Sequence, residues 1–302
     1  MLSATSGARA RRTYSGQAGS ALTVDSELRP SLLTDLPAIL ATVIGNVSAA
    51  TLARTKVPQV TALFWIVKLL TTAMGESFAD YLSGRLERDL ALSLAATALV
   101  VSLIVQLCLR RYSIWAYWTA VVMVSIFGTM AADFIDFRLH VPLPVSTGIF
   151  LGLLVGVFAL WYACERTLSM DSIVSGRREL FYWAAVIVTF MLGTAAGDLT
   201  AGKLQLGYRL SILLFAVLIA IPALAHRWFG LAAVPAFWFA YVVTRPLGAT
   251  ISDWLASHDH DGLNLGTGPV TLVATIAIVT LVTVMSRQIT AKSQRPVVTV
   301  EA

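Results

Sequence analysis

The chain has 302 residues, 57% of them hydrophobic and only 13% charged, with a formal net charge of +5. An average soluble domain carries about 25% charged residues, so the polar shell that a water-soluble enzyme of this length needs is missing. The same hydrophobicity excludes disorder for most of the chain, and two cysteines, Cys108 and Cys164, exclude a disulfide scaffold. The class that remains is an all-α polytopic membrane protein.

Residues 1–55 read as an N-terminal arm, rich in Ser, Ala, Thr and Arg up to residue 30. The moderately apolar stretch 36–53, which contains Asn46, reads as an interfacial helix or part of a disordered extension. A ninth span and the core of a long signal peptide are its alternatives. Eight later segments are long and apolar enough to be spans, near 59–83, 90–109, 113–136, 144–164, 179–201, 208–226, 231–255 and 267–286. Lys and Arg lie mainly between these runs, which argues against a nucleic-acid surface. Sorted by side, 15 fall with the N-terminus and 5 opposite, so both termini are predicted to be cytoplasmic. Cys108 and Cys164 then lie on the reducing side as free thiols, and residues 288–302 form a cytoplasmic tail.

The odd-numbered spans repeat one pattern: an aromatic, Trp, then Gly, a small residue and Asp at fixed spacing. It runs Phe64-Trp65, Gly75, Asp80; Tyr117-Trp118, Gly128, Asp133; Tyr182-Trp183, Gly193, Asp198; and Phe237-Trp238, Gly248, Asp253. The spacing predicts four tandem helical hairpins in one orientation, over residues 56–111, 112–176, 177–230 and 231–287.

With these tryptophans, the opening Lys56-Val57-Pro58 and the Gly75-Glu76 pair, the chain resembles a bacterial inner-membrane family of four tandem two-span repeats, each marked by a tryptophan. The resemblance covers about residues 56–287. It implies the eight-span fold and a multi-pass location in the bacterial inner (plasma) membrane. It implies no activity, because that family is known as a repeat of unknown function. Its members begin near Lys56, so the arm departs from the pattern.

Trp to Asp spans fifteen residues, about 22 Å of helix. That places Trp65, Trp118, Trp183 and Trp238 toward the cytoplasmic interface, where they read as anchors of an aromatic belt. Gly75, Gly128, Gly193 and Gly248 read as packing positions, as do Gly148, Gly152 and Gly156 at i+4 spacing. Asp80, Asp133, Asp198 and Asp253 share one level of four parallel helices. Ionisable groups within spans usually mark ion or proton pathways, and the alternative is that each Asp caps a loop. Glu76, one turn from Asp80, makes this the best candidate binding step. Lys68 and Arg245 are the counter-charges, and register places Arg245 within reach of Glu76, as a functional or a static pair. Pro246 is expected to free the Val242 carbonyl. Asp136 and His140, following Asp133, and His258 and His260 form weak candidate metal ligands.

The sequence holds no Gly-x-Ser-x-Gly elbow, no His-Glu-x-x-His pair and no phosphate-binding glycine loop. The expectation is therefore a non-enzymatic, transporter-like protein without a cofactor, moving a divalent metal or a proton-coupled cation through intramembrane carboxylates. The alternative is a membrane scaffold or sensor whose acids are structural. The lipid bilayer is the one firm partner; the sequence leaves the oligomeric state open.

Overall fold

The computed structural model describes residues 55–174, 176–259 and 261–293, so the expectations for the N-terminal arm, for His260 and for the tail beyond Ser293 lie outside the described residues. Eight long helices follow one another: α1 Ala62–Ser83, α2 Arg88–Cys108, α3 Ile114–Asp133, α4 Leu143–Glu165, α5 Gly176–Asp198, α6 Gly207–Phe229, α7 Ala233–Ala256 and α8 Thr267–Ser293. The described residues contain no strand. Local chemistry sets several boundaries. Thr61 and Ser113 accept hydrogen bonds from the backbone N–H of Phe64 and Ala116, capping α1 and α3. Pro144 sits in the first turn of α4, where its missing N–H is harmless. Gly230, at φ 67°, ends α6 in the left-handed conformation. Single π-helical turns, Phe134–Arg138 and Leu199–Lys203, extend α3 and α5.

Seven of the eight helices are long and apolar enough to cross a membrane. The remaining one, α7, equals them in length and carries Arg245, Pro246 and Asp253.

The odd helices form a closed inner ring, in which α1 packs on α3, α3 on α5, α5 on α7 and α7 back on α1. The even helices lie outside it. A repeat is not, however, a packed hairpin as the spacing suggested. Each even helix leaves its own odd partner and packs on the odd helix of the following repeat: α2 on α3, α4 on α5, α6 on α7, and α8 closes the circle on α1. The reason is steric. The flanks of each inner helix are taken by its ring neighbours, and its outer groove by the even helix handed over from the preceding repeat.

Glycine sets the ring's diameter. A Cβ on Gly75 would overlap Ser125, one on Gly193 would overlap Arg245, and one on Gly248 would overlap Thr72. One on Gly128 would come within 2.7 Å of the Phe190 Cβ. In every repeat the glycine abuts the residue three positions before the glycine of the next repeat, so one steric contact is used four times around a circle. By contrast, Gly148, Gly152 and Gly156 on α4 meet nothing within 4 Å among the described residues and pack against no described helix, contrary to expectation.

The aromatic pairs likewise form a collar and not an interfacial belt. Trp118, Trp183 and Trp238 are buried, and Trp65 is half-buried. Each first aromatic meets the Trp of the next repeat: Phe64 with Trp118 at 5.8 Å between ring centroids, Tyr117 with Trp183 at 5.7 Å, Tyr182 with Trp238 at 6.1 Å, and Phe237 with Trp65 at 5.7 Å. Within each pair the rings lie edge to face at 5.2–5.3 Å. Pairs on four neighbouring inner helices at one level pack against one another around the ring. The Trp238 indole also donates to the Leu168 carbonyl at 2.9 Å.

Candidate functional site

The inner ring turns toward its axis the residues at steps of four from the position after each repeat glycine, giving polar layers one helical turn, about 6 Å, apart. At the glycine plus one stand Glu76, Thr129, Thr194 and Ala249, and at minus three in the last repeat stands Arg245. These form one buried knot. The Arg245 Nη2 donates to Glu76 Oε2 at 2.7 Å, to Thr194 Oγ1 at 2.8 Å and to Thr129 Oγ1. Thr129 in turn donates to Glu76 Oε2 at 3.0 Å. Arg245 is 0% exposed and Glu76 is 4% exposed, so a full ion pair is held away from water by side chains from all four inner helices. This is the bridge between repeats one and four that the register placed there. Removing one partner of such a pair strands a charge.

One turn toward the collar lies Lys68, 1% exposed. Its ammonium nitrogen donates to the Tyr241 carbonyl at 3.0 Å and sits 3.9 Å from the centroid of the Tyr241 ring. Lys68 thus takes a backbone oxygen in the α7 segment ahead of Pro246, on Tyr241 where Val242 was expected. Despite Pro246, α7 runs unbroken from Ala233 to Ala256. Phe190 is shared by both cations, 5.4 Å from Lys68 Nζ and 5.2 Å from the Arg245 guanidinium carbon. Two buried cations therefore flank one carboxylate of the knot.

On the opposite side of the knot, at the glycine plus five, stand Asp80, Asp133, Asp198 and Asp253. Asp80 is exposed and the other three are half-buried. None of their side chains makes a hydrogen bond or ion pair with another described residue, although the Asp80 and Asp253 backbone carbonyls accept from Gly84 and Ser257 at the helix ends. All four lie within electrostatic range of Glu76, and Asp133 is also within range of Asp80 and Asp198. Asp80 and Asp133 line a cleft of about 310 Å³ together with Ser83, Met130, Arg88 and Arg138. Two of the four acids thus share a cleft with two arginines, and the four do not close into a coordination shell.

Of the candidate metal ligands, Asp136 and His140 are set apart for a local reason, and His260 lies outside the described residues. Among the described residues no group of three or more His, Cys, Asp or Glu side chains is placed to hold a metal ion. The π turn Phe134–Arg138 breaks the α-helical register on which the Asp136 and His140 spacing relied. Asp136 is turned inward beside Ser146, while His140 is exposed beyond the turn. His258 pairs with Asp259 at 3.3 Å on an exposed loop.

Several participants were missed from sequence. Thr129 and Thr194 complete the knot, and the signal was present: the position after the glycine is hydrophilic in three repeats of four. Glu179 is fully buried, binding Lys56 Nζ at 2.7 Å and Gln106 at 3.1 Å, and so ties the segment before α1 to α2 and α5. Nothing in the spacing marked that pair.

The Repeat of Unknown Function (DUF347) matches the chain four times, over residues 63–112, 116–167, 181–230 and 236–289. Neither a curated protein nor a solved structure matches it.

Proposed function

Since the chain belongs to the family built from the Repeat of Unknown Function (DUF347), we propose that it is an eight-span carrier of the bacterial inner membrane, with both termini cytoplasmic, that moves a proton or a cation exchanged for one. The observation that carries this reading is the set of four aspartates with unpartnered side chains held above a buried Glu76–Arg245 pair on the axis of a closed helical ring. Surface acids would be solvated; acids at one level of an inner ring concentrate positive charge at a single mouth.

The knot supplies the step that follows. A positive charge reaching Glu76 competes with Arg245 for the same carboxylate oxygen, and Thr129 and Thr194 remain as hydroxyl partners for the guanidinium when it lets go. A proton needs only one carboxylate, whereas a divalent metal needs several oxygens in one shell. Separated carboxylates therefore suit the proton better than a bare divalent ion. The glycine contacts leave little slack for rocking whole repeats, so the moving part in this reading is the Arg245 side chain.

Purified protein in liposomes, under an imposed potential, tests the reading with a trapped pH dye and a manganese-sensitive dye in parallel. Glu76→Gln and Asp198→Asn are expected to abolish flux while still accumulating in the membrane. Flux unchanged in both variants, or no flux in the unaltered protein, overturns it in favour of a scaffold or sensor whose acids only orient helices.

A further inference from the structure

Below the knot, the axis crosses the aromatic collar, which would seal it if every ring were apolar. It is not apolar at its centre. Two of the four collar positions facing the axis are tyrosines, Tyr117 and Tyr182, and their hydroxyls share a hydrogen bond of 2.6 Å. One turn closer to the knot is Tyr241, at the level of Lys68; its hydroxyl, like that of Tyr112, is buried without a hydrogen-bond partner among the described residues. The rings of Tyr117, Tyr182 and Tyr241 are 0% exposed. On the far side of the pair is Tyr112, in the connection between α2 and α3, with its ring 6.1 Å from that of Tyr117. Burial holds the Tyr112 phenol well above its ordinary range, so it stays a protonated donor.

A buried hydroxyl is costly in a dry core unless it is paired, and phenylalanine fills the same ring volume without that cost. Phe64 and Phe237 occupy the equivalent collar positions in repeats one and four, so the collar tolerates Phe. The tyrosines are thus not needed for packing. They stand where the axis would otherwise lose its last polar groups, between Lys68 and the partly exposed Tyr112.

We propose that Lys68, Tyr241, Tyr182, Tyr117 and Tyr112 form the inner half of a proton path, carrying protons between the Glu76–Arg245 knot and the face at the α2–α3 connection. The proposal rests on the carrier reading above and extends it to the far side of the collar. Lys68 in its amine form takes a proton on Nζ and later releases it. Each tyrosine oxygen accepts one proton as it gives up the one it held, so no residue ends with a changed proton count. The route holds one hydroxyl–hydroxyl hydrogen bond, between Tyr117 and Tyr182, flanked by the two unpartnered buried hydroxyls of Tyr241 and Tyr112, and the packed rings around it admit no cation larger than a proton.

The test uses the full chain in liposomes with a trapped pH dye under a potassium-diffusion potential. Tyr182→Phe and Tyr241→Phe keep the rings and remove one oxygen each; each is expected to lower proton flux about ten-fold or more, the scale of a lost positioned proton donor. Size-exclusion behaviour and thermal unfolding in detergent should match the unaltered protein. Tyr117→Phe provides a second break of the same hydrogen bond should Tyr182→Phe not fold. If Glu76→Gln stops flux while Tyr182→Phe, Tyr117→Phe and Tyr241→Phe all retain the full rate, the inner path is refuted and the carrier reading stands. If the unaltered protein moves no protons, both fall together. A solvent deuterium effect present in the unaltered protein and absent from the residual flux of Tyr182→Phe supports the hydroxyl relay.

Discussion

The two rings of this molecule solve different problems with helices of similar length. Of the spanning windows of α1, α3 and α5, 61% is buried inside the protein, against 17–28% for α2, α4, α6 and α8. The outer helices turn Leu, Val and Ile outward, with residues such as Leu151, Val155, Leu213 and Val273 more than half exposed, a surface suited to hydrocarbon chains. Every buried charge of the axial knot, and every aspartate above it, lies on the inner helices. Hydrophobicity alone thus marks the outer ring, while steric and polar position define the inner one.

That contrast can be broken most severely at the knot. Arg245→Ala leaves Glu76 buried without its partner and should destabilise the protein by about 3–5 kcal/mol, read as a large fall in unfolding temperature and in membrane accumulation. The double variant Glu76→Gln with Arg245→Met should recover much of that loss, because both charges are then gone. A comparable drop is expected from Trp183→Ala, where a buried collar indole is emptied, at about 3–5 kcal/mol. Next comes Gly248→Val, whose added atoms meet Thr72; overpacking of this kind costs about 1–3 kcal/mol. The smallest effect sharpens the comparison from the outer side. Gly152→Ala on α4 enters open space and should change stability by no more than about 0.5 kcal/mol, measured by the same unfolding assay. If Gly152→Ala were as damaging as Gly248→Val, the division into a geared ring and a lipid-facing ring would be wrong.

The repeats were legible because one steric task recurs. Gly75, Gly128, Gly193 and Gly248 each face a neighbouring helix, and the Asp five residues later keeps one level, so the spacing survives in the sequence. The neighbour itself was not legible: periodicity says which helices are alike but not which of them touch. The hand-over of α2 to α3 and of α8 to α1 is decided by which groove is still empty. The tryptophans misled for a related reason, since a ring near a helix end looks the same in sequence whether it faces headgroups or the ring of the next repeat. The pairing of Glu76 with Arg245 was readable because both break the repeat pattern one turn apart. The spacing of Asp136 and His140 misled because the π turn after Asp133 shifts the register by a residue that no composition signal announces.

The hand-over of outer helices also bears on assembly. No repeat owns both halves of its own packing surface, so a ribosome releasing the chain from its start produces an α1 whose outer groove waits for α8, the last of the eight helices to be made. Until that latch arrives, α7 can already meet α1 and close the inner ring, while the outer groove of α1 stays bare. Maturation is then a late latching of the outer ring, and trimming the chain ahead of Thr267 would leave the outer groove of α1 without its cover.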